Sequence, residues 1–362
     1  FSAQDAVNGM ELWKSNGTSA GTELLKDIYT GAIASNPGNL VSMNGELFFT
    51  ATDATAGTEI WKSNGTSTGT VLLKDINAGT DNSYPLSLTV VNNTVFFKAF
   101  DADNGTELWK TDGTPSGTVL VKDIYAGAAS GNPQYLTNVN GLLYYVANED
   151  VNGTELWKTD GTTAGTVLVK DIISGDGSSS PLNLTCVGDK LFFTAQQPTT
   201  GTELWKTDGT SSGTVMVKDI NAGAEPGNPQ YLTNVNGKLM FSATDPVAGT
   251  ELWKTDGTDA GTTRVKDIYA GELGSAAGEF IKVGNGVYFR ARDIANGMEL
   301  WKSDGTVPGT VMVKDINAGT GDSNPTYLTN VNDIIYFSAT DAVNGTELWR
   351  SDGTPAGTVM VK

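Results

Sequence analysis

The chain is 362 residues long and carries 41 acidic against 23 basic side chains, a formal net charge of -18, so nucleic acid and anionic membrane are poor partners and cations or neutral ligands better ones. Histidine is absent and Cys186 is the one cysteine, which excludes histidine acid/base catalysis, Ser-His or Cys-His nucleophiles, zinc sites and internal disulfides. No apolar run approaches a membrane span, and a start at Phe1 without methionine or a signal-like segment reads as a mature or excised piece.

The elements recur with a fixed period. Glu-Leu-Trp-Lys begins at Glu11, reads Glu-Ile-Trp-Lys from Glu59, returns at Glu107, Glu155, Glu203, Glu251 and Glu299, and reads Glu-Leu-Trp-Arg from Glu347, always 48 residues on or a multiple of it. Such regularity marks a repeat architecture in which each unit buries its apolar surface only against its neighbours. No composition shift or linker interrupts the period, so residues 1–362 read as a single repeat domain.

Within one unit, Asn228-Pro229 opens an apolar stretch through Tyr231, Leu232 and Val235, and Asn236-Gly237 turns it into Leu239 to Ala243. Asn-Gly is a strong hairpin signal because both turn positions require positive φ. Asp245 to Gly249 turns into Thr250 to Lys254, and Asp256-Gly257-Thr258 into Thr262 to Lys266. The unit is therefore a meander of four short strands, joined to the next by a Gly- and Ser-bearing connection that ends in Pro37, Pro85, Pro133, Pro181, Pro229 or Pro325. Helical periodicity appears nowhere. Leu and Trp are adjacent in the third strand and so point to opposite faces, and both faces must be covered. Four-stranded blades stacked face to face meet that demand, which predicts an all-β, eight-bladed β-propeller; a β-solenoid is the competing repeat fold. The last 26 residues repeat the first 26 in frame, giving 31 strands, one short of eight complete blades. A boundary of the excised piece is the simpler reading of the missing strand; alternatively, an unpaired strand position beside Phe1 would accept a strand from another copy and so drive head-to-tail assembly.

At Glu-Leu-Trp-Lys-Thr-Asp-Gly-Thr (Glu107 to Thr114, Glu155 to Thr162, Glu203 to Thr210, Glu251 to Thr258) the sequence closely resembles the bacterial ELWxxDGT repeat family, with Asn16 and Asn64 in place of the aspartate in the first two copies and Ile60 in place of leucine. The resemblance covers essentially the whole chain. It implies a large secreted or surface-attached bacterial protein, sometimes labelled hyalin-like, and supplies no catalytic residues. Composition rich in Gly, Thr, Asn and Asp also suits an extracellular or cell-surface location.

All eight tryptophans (Trp13, Trp61, Trp109, Trp157, Trp205, Trp253, Trp301, Trp349) lie in the motif and are expected between blades rather than as an exposed sugar-stacking ring. The motif Glu, the Lys after Trp (Lys14 to Arg350), the Lys closing the fourth strand (Lys26, Lys74, Lys122, Lys170, Lys218, Lys266, Lys314, Lys362) and the Asp that follows it (Asp27 to Asp315) read as exposed cross-strand ion pairs and turn caps worth ~0.2–1 kcal/mol each. Asp101, Asp103 and Glu107 place oxygens at alternating positions before a glycine and form a weak calcium candidate, with turn capping the simpler reading. Symmetry breaks most between Arg264 and Arg292. Arg264 replaces an aliphatic residue, and Lys282, Arg290 and Arg292 replace mostly small or polar ones; together they would hold an acidic glycan or a neighbouring carboxylate, against ordinary drift on a solvated face. Cys186 stands where other copies have Asn and reads as an incidental thiol.

These features predict a non-enzymatic extracellular structural or adhesive module of a bacterial surface or secreted protein, without a cofactor unless calcium, partnered by its own copies or by neighbouring domains. The alternative is a propeller that binds a glycan or peptide. A polysaccharide-cleaving enzyme would need a carboxylate pair found at one place only, whereas nearly every acidic residue here recurs.

Overall fold

A computed structural model of the chain describes residues 1–361; Lys362, expected to close the last fourth strand, lies outside the described residues. Those residues form 31 strands and no helix. They make eight antiparallel sheets, of which seven have four strands in sequence order and one has three. We number them as blades along the chain. Blade one comprises Ser2–Asp5, Gly9–Lys14 and Glu23–Lys26, the equivalents of the second, third and fourth strands elsewhere. Blade two adds the first strand, Gly38–Met43, to Glu46–Asp53, Gly57–Ser63 and Val71–Lys74. Blade three runs through Leu86–Val91, Thr94–Asp101, Gly105–Thr111 and Val119–Lys122. Blades four to eight repeat the pattern from Gln134, Leu182, Gln230, Gly278 and Thr326. The β-propeller expectation, with one blade lacking a strand, is met.

The predicted turns fold for the predicted reason. Asn44-Gly45, Asn140-Gly141 and Asn236-Gly237 have positive φ at both positions, the geometry that lets a two-residue hairpin follow the strand twist. A bulge bends the first strand of each complete blade, for example between Gln134 and Thr137, around a residue at positive φ, there Tyr135 at 55°.

The chain divides into two compact units, Phe1–Ser180 with blades one to four and Pro181 onward with blades five to eight. Inside each unit, blades pack face on face. In the first, Phe48, Ile60 and Leu73 of blade two meet Val95, Phe97 and Trp109 of blade three, whose Phe96, Leu108 and Val121 in turn meet Leu143, Tyr145 and Trp157 of blade four. In the second unit, Leu204 packs with Trp253, Leu252 with Trp301 and Leu300 with Trp349. Adjacent motif residues therefore serve opposite faces: Leu reaches forward to the next blade and Trp backward to the preceding one. Seven tryptophans are buried and Trp13 is half-buried.

Lys14 and Lys62 form the expected cross-strand ion pairs, with Glu23 at 3.1 Å and Glu46 at 3.2 Å, but most of the recurring lysines depart from that expectation. Lys110, Lys206, Lys254 and Lys302 each donate Nζ–H to the glycine carbonyl of the Asp-Gly-Thr turn in the next blade, at 2.6–2.9 Å. Lys26, Lys74, Lys122, Lys266 and Lys314, at the ends of fourth strands, donate to a threonine carbonyl of the next blade and sit 5.4–5.8 Å from the centre of its Trp ring. A cation held over an indole face is worth ~0.5–2 kcal/mol. The reason for the departure is that each lysine's long stem lies over the neighbouring blade, where turn carbonyls are the nearest acceptors. The aspartates after these lysines do cap turns, as Asp27 Oδ2 does by accepting the Gly31 N–H at 3.1 Å.

Trp157→Ala should lower the unfolding free energy by about 3–5 kcal/mol, the usual cost of emptying a large aromatic site. Lys122→Met, which keeps the stem but removes the cation, should cost only about 1 kcal/mol. Urea unfolding followed by far-ultraviolet circular dichroism measures both, and equal losses for the two variants would contradict the packing described.

Candidate functional site

The motif glutamates lie where the sequence reading did not put them. Glu precedes Leu in the third strand, shares the Trp face, and in blades one to seven is fully buried. Glu11 accepts the Ile28 N–H at 2.9 Å and the Ser35 hydroxyl at 2.6 Å on Oε2, and the Ser35 N–H at 2.9 Å on Oε1. Glu59 takes the same donors from Ile76 and Ser83, while Glu299 accepts the Ile316 N–H and the Ser323 hydroxyl on Oε2 and the Asn317 N–H on Oε1. Each carboxyl thus clamps the connection between blades onto the third strand. The exposed ion-pair reading is corrected because that connection folds back over the Glu and offers it unpaired N–H donors, which a buried carboxyl satisfies. The signal was a serine recurring 24 residues after the Glu, at Ser35, Ser83, Ser179, Ser275 and Ser323. Gly131 and Gly227 replace it in two copies; there a Cβ would lie within 2.7 Å of a carboxylate oxygen of Glu107 or Glu203.

Burial pushes Glu59, Glu107, Glu155, Glu203 and Glu299 up to about 7, against the pull of their hydrogen-bond donors, and raises Glu251 as well. Near Glu107, the Tyr145 hydroxyl replaces the phenylalanine of other blades and is likewise held protonated by burial and by that carboxyl. The same buried carboxyl thus recurs in seven blades as an architectural device.

Blade three carries the feature that the repeats do not share. Tyr84, Leu86 and Phe100 stand 59, 41 and 36% exposed around a cleft of about 600 Å³, rimmed by Asn77, Asn82 and Asn132 and reached by Lys98. Tyr84 lies at φ 47°, in the left-handed region where the equivalent residues are Asn36, Asn132, Ser180, Asn228, Ala276 and Asn324. A bulky aromatic there carries backbone strain of about 1–2 kcal/mol, and such outliers gather at ligand sites. Its position is fixed by the Thr58 carbonyl, which accepts the Tyr84 N–H at 3.2 Å, and by Asn82, whose Nδ2 donates to the Tyr84 hydroxyl at 3.0 Å. The loop floor comes close to the neighbouring third strand, since a Cβ on Gly57, at φ 68°, would lie 2.7 Å from the Asp81 carbonyl. Phe100 occupies a position held elsewhere by Gln4, Thr52, Asn148, Gln196, Thr244, Arg292 and Thr340, so no other repeat offers an aromatic at either place. Lys98 is half-buried and, among the described residues, enters no ion pair. Sequence reasoning missed this cleft because its two aromatics lie 16 residues apart, Tyr84 in the connection before the blade and Phe100 on its second strand, whereas the arginines cluster in the chain.

The four basic residues named from the sequence do not form one patch. Arg264, on the fourth strand of blade six, is paired with Asp245 at 2.7 Å. Lys282 pairs across the sheet with Val287, and so faces the opposite side from Arg290 and Arg292, which alternate with it on the next strand. Arg292 is bound to Asp322 at 2.8 Å. Of the calcium candidates, Asp101 Oδ1 accepts the N–H groups of Asp103 and Asn104, both at 2.9 Å, as a turn cap, while Glu107 is committed to its clamp. The structure does not bring the three together, and among the described residues no group of three acidic, cysteine or histidine side chains gathers. Cys186 is half-buried, and burial raises its thiol above the usual value.

A family model described as Outer membrane protein assembly factor BamB matches residues 91–291. The chain belongs to this family. That match overturns the resemblance to the ELWxxDGT repeat family: in this structure Glu, Leu, Trp and the Asp-Gly-Thr turn are the clamp, the two packing faces and the stitched turn of a blade, so the motif reports blade geometry. No curated protein matches the sequence. Among solved structures, puromycin hydrolase is 15% identical, with 99% of this chain and 58% of that one covered and a TM-score of 0.39. A study of two prolyl endopeptidases gives 12% identity, 90 and 49% coverage and a TM-score of 0.48. The β-propeller domain of the Trilobed protease from Pyrococcus furiosus gives 12%, 90 and 97%, and 0.39. The chain thus spans about half the length of the two hydrolytic enzymes.

The clamps predict a pH dependence with a definite sign. Their folded-state values lie above the unfolded 4.5, so their contribution is complete below pH 4.5 and is lost as pH rises through about 7. Without histidine, no other side chain normally titrates in that window. The thermal midpoint should fall by several degrees from pH 5 to pH 8, and Glu155→Gln should shrink that fall by removing one titrating clamp. A midpoint that rises over this range would contradict the burial effect.

Proposed function

We propose that the protein is a non-enzymatic binding propeller of the bacterial envelope, in which the blade-three cleft seats an apolar segment of a partner polypeptide. The observation that carries this reading is the exposed Tyr84, Leu86 and Phe100 grouped in one cleft of a blade whose counterparts have no aromatic at the Tyr84 or Phe100 position. Exposed aromatics held rigid at a concave site supply most of the energy of a binding surface. A family named for outer membrane protein assembly supports a polypeptide partner and an envelope location. Among the described residues no helix is long and apolar enough to cross a membrane. The non-enzymatic reading rests on the clamps: the motif carboxyls, the one recurrent set raised toward neutrality, are enclosed beneath inter-blade connections. Binding is preferred to a purely structural or adhesive role because exposed aromatics stand at the Tyr84 and Phe100 positions in this copy of the repeat and in no other.

Screening against immobilised apolar peptides and against a glycan array tests the partner class. Peptide binding that weakens about tenfold or more in Tyr84→Ala and in Phe100→Ala is expected; glycan binding with silent peptides would overturn the reading. Tyr84→Asn gives an independent check. It should raise stability by roughly 0.5–1 kcal/mol, because asparagine tolerates the left-handed conformation, while abolishing binding.

A further inference from the structure

Blade seven breaks the repeat differently. Its second strand, Gly286–Asp293, carries Arg290 and Arg292 on one face, at the positions that hold Lys98 and Phe100 in blade three. Arg292 is already neutralised by Asp322, whose Oδ1 also accepts the Met298 N–H at 2.8 Å. Among the described residues Arg290 makes no ion pair and no hydrogen bond, and its Nε is buried without an acceptor. Leaving a desolvated guanidinium nitrogen unpaired is costly, and on a chain of net charge -18 an acceptor would be easy to supply from within.

The surroundings suit an incoming group. Of the two cross-strand neighbours of Arg290, Leu300 is buried and Gly278 has no side chain to cover it. A Cβ there would meet the ring of Tyr231 from blade six at 3.2 Å and its hydroxyl at 3.4 Å. That ring is partly exposed and stacks on Phe280 at 5.8 Å, and Phe280 in turn meets Phe289 at 5.2 Å. Phe280 replaces leucine in every other copy, at Leu40, Leu88, Leu136, Leu184, Leu232 and Leu328. The Tyr231 phenol thus reaches Gly278, the cross-strand partner of Arg290, while Phe289 faces the other side of the strand and the Arg292–Asp322 pair lies along the Arg290 face.

We propose that blade seven holds an oxyanion site, in which Arg290 receives a carboxylate or phosphate group and the Tyr231 hydroxyl supplies a further donor. Guanidinium matches both groups through two parallel N–H bonds, and such charge-assisted pairs are the stronger hydrogen bonds of proteins. The site stands apart from the blade-three cleft and does not depend on the reading of that cleft.

Calorimetric titration of the whole chain with succinate and with pyrophosphate tests it, alongside Arg290→Met and Arg290→Lys. Binding by the unaltered protein is expected, weakened about tenfold or more in Arg290→Met and less in Arg290→Lys, which keeps charge but not the fork. Response to succinate alone would assign a carboxylate ligand, to pyrophosphate alone a phosphate, and to both a general oxyanion site. A second readout separates binding from architecture: Arg290→Met should melt at or above the temperature of the unaltered protein. Silence toward both anions, unchanged affinity in Arg290→Met, or a lowered melting temperature with affinity intact would each overturn the proposal.

Discussion

Everything in this fold depends on a carboxyl that water cannot reach. A blade can meander by local turn chemistry alone, but the connection to the next blade has no sheet partner for its N–H groups. The motif glutamate satisfies them from beneath, fixing where that connection runs and hence where the next first strand begins. The apolar contacts between Leu and Trp can then form in register, since the faces they occupy have been brought opposite each other. The desolvation that raises these glutamates is the cost of that control.

Much of the architecture was legible in the sequence, and the reasons are local. Asn236-Gly237 announces a hairpin because two adjacent residues must take positive φ, and Leu252 beside Trp253 announces two buried faces because strand side chains alternate. The 31 strands and the incomplete blade followed from counting. What was not legible depended on the path of the chain between strands. Glu251 reads as a surface charge until the connection ending at Ser275 is seen lying across it, and Lys254 reads as half of an ion pair until the next blade's Gly305 carbonyl is found beside its Nζ. Charge and strand position do not reveal whether a lid of backbone lies above.

The site residues show the same limit from another side. Arg264 to Arg292 drew notice because they cluster in the chain, yet strand pairing sends Lys282 to one face and Arg290 to the other, and Arg264 is spent on Asp245. Tyr84 and Phe100 were overlooked because nothing in their spacing signals a contact; only the return of the second strand past the loop brings them together, through the Phe100 N–H donated to the Ser83 carbonyl at 2.8 Å. In a repeat protein, comparing equivalent positions is a sharper guide than searching for clusters. Both sites proposed here sit at one repeat position, filled by Lys98 in one blade and Arg290 in another.

The reach of the stitches has a kinetic consequence. Glutamate clamps close over 17 to 24 residues, and the two sets of lysine contacts over 44 and 51. Within each unit these polar links between successive blades are therefore complete within little more than one period. Loop-closure entropy stays small and alike at every step, so structure can start at any blade and spread to its neighbour, without waiting for distant parts of the chain. A polypeptide leaving the ribosome could lock each blade as soon as the following turn emerged, keeping the apolar faces of so long an array from being exposed together.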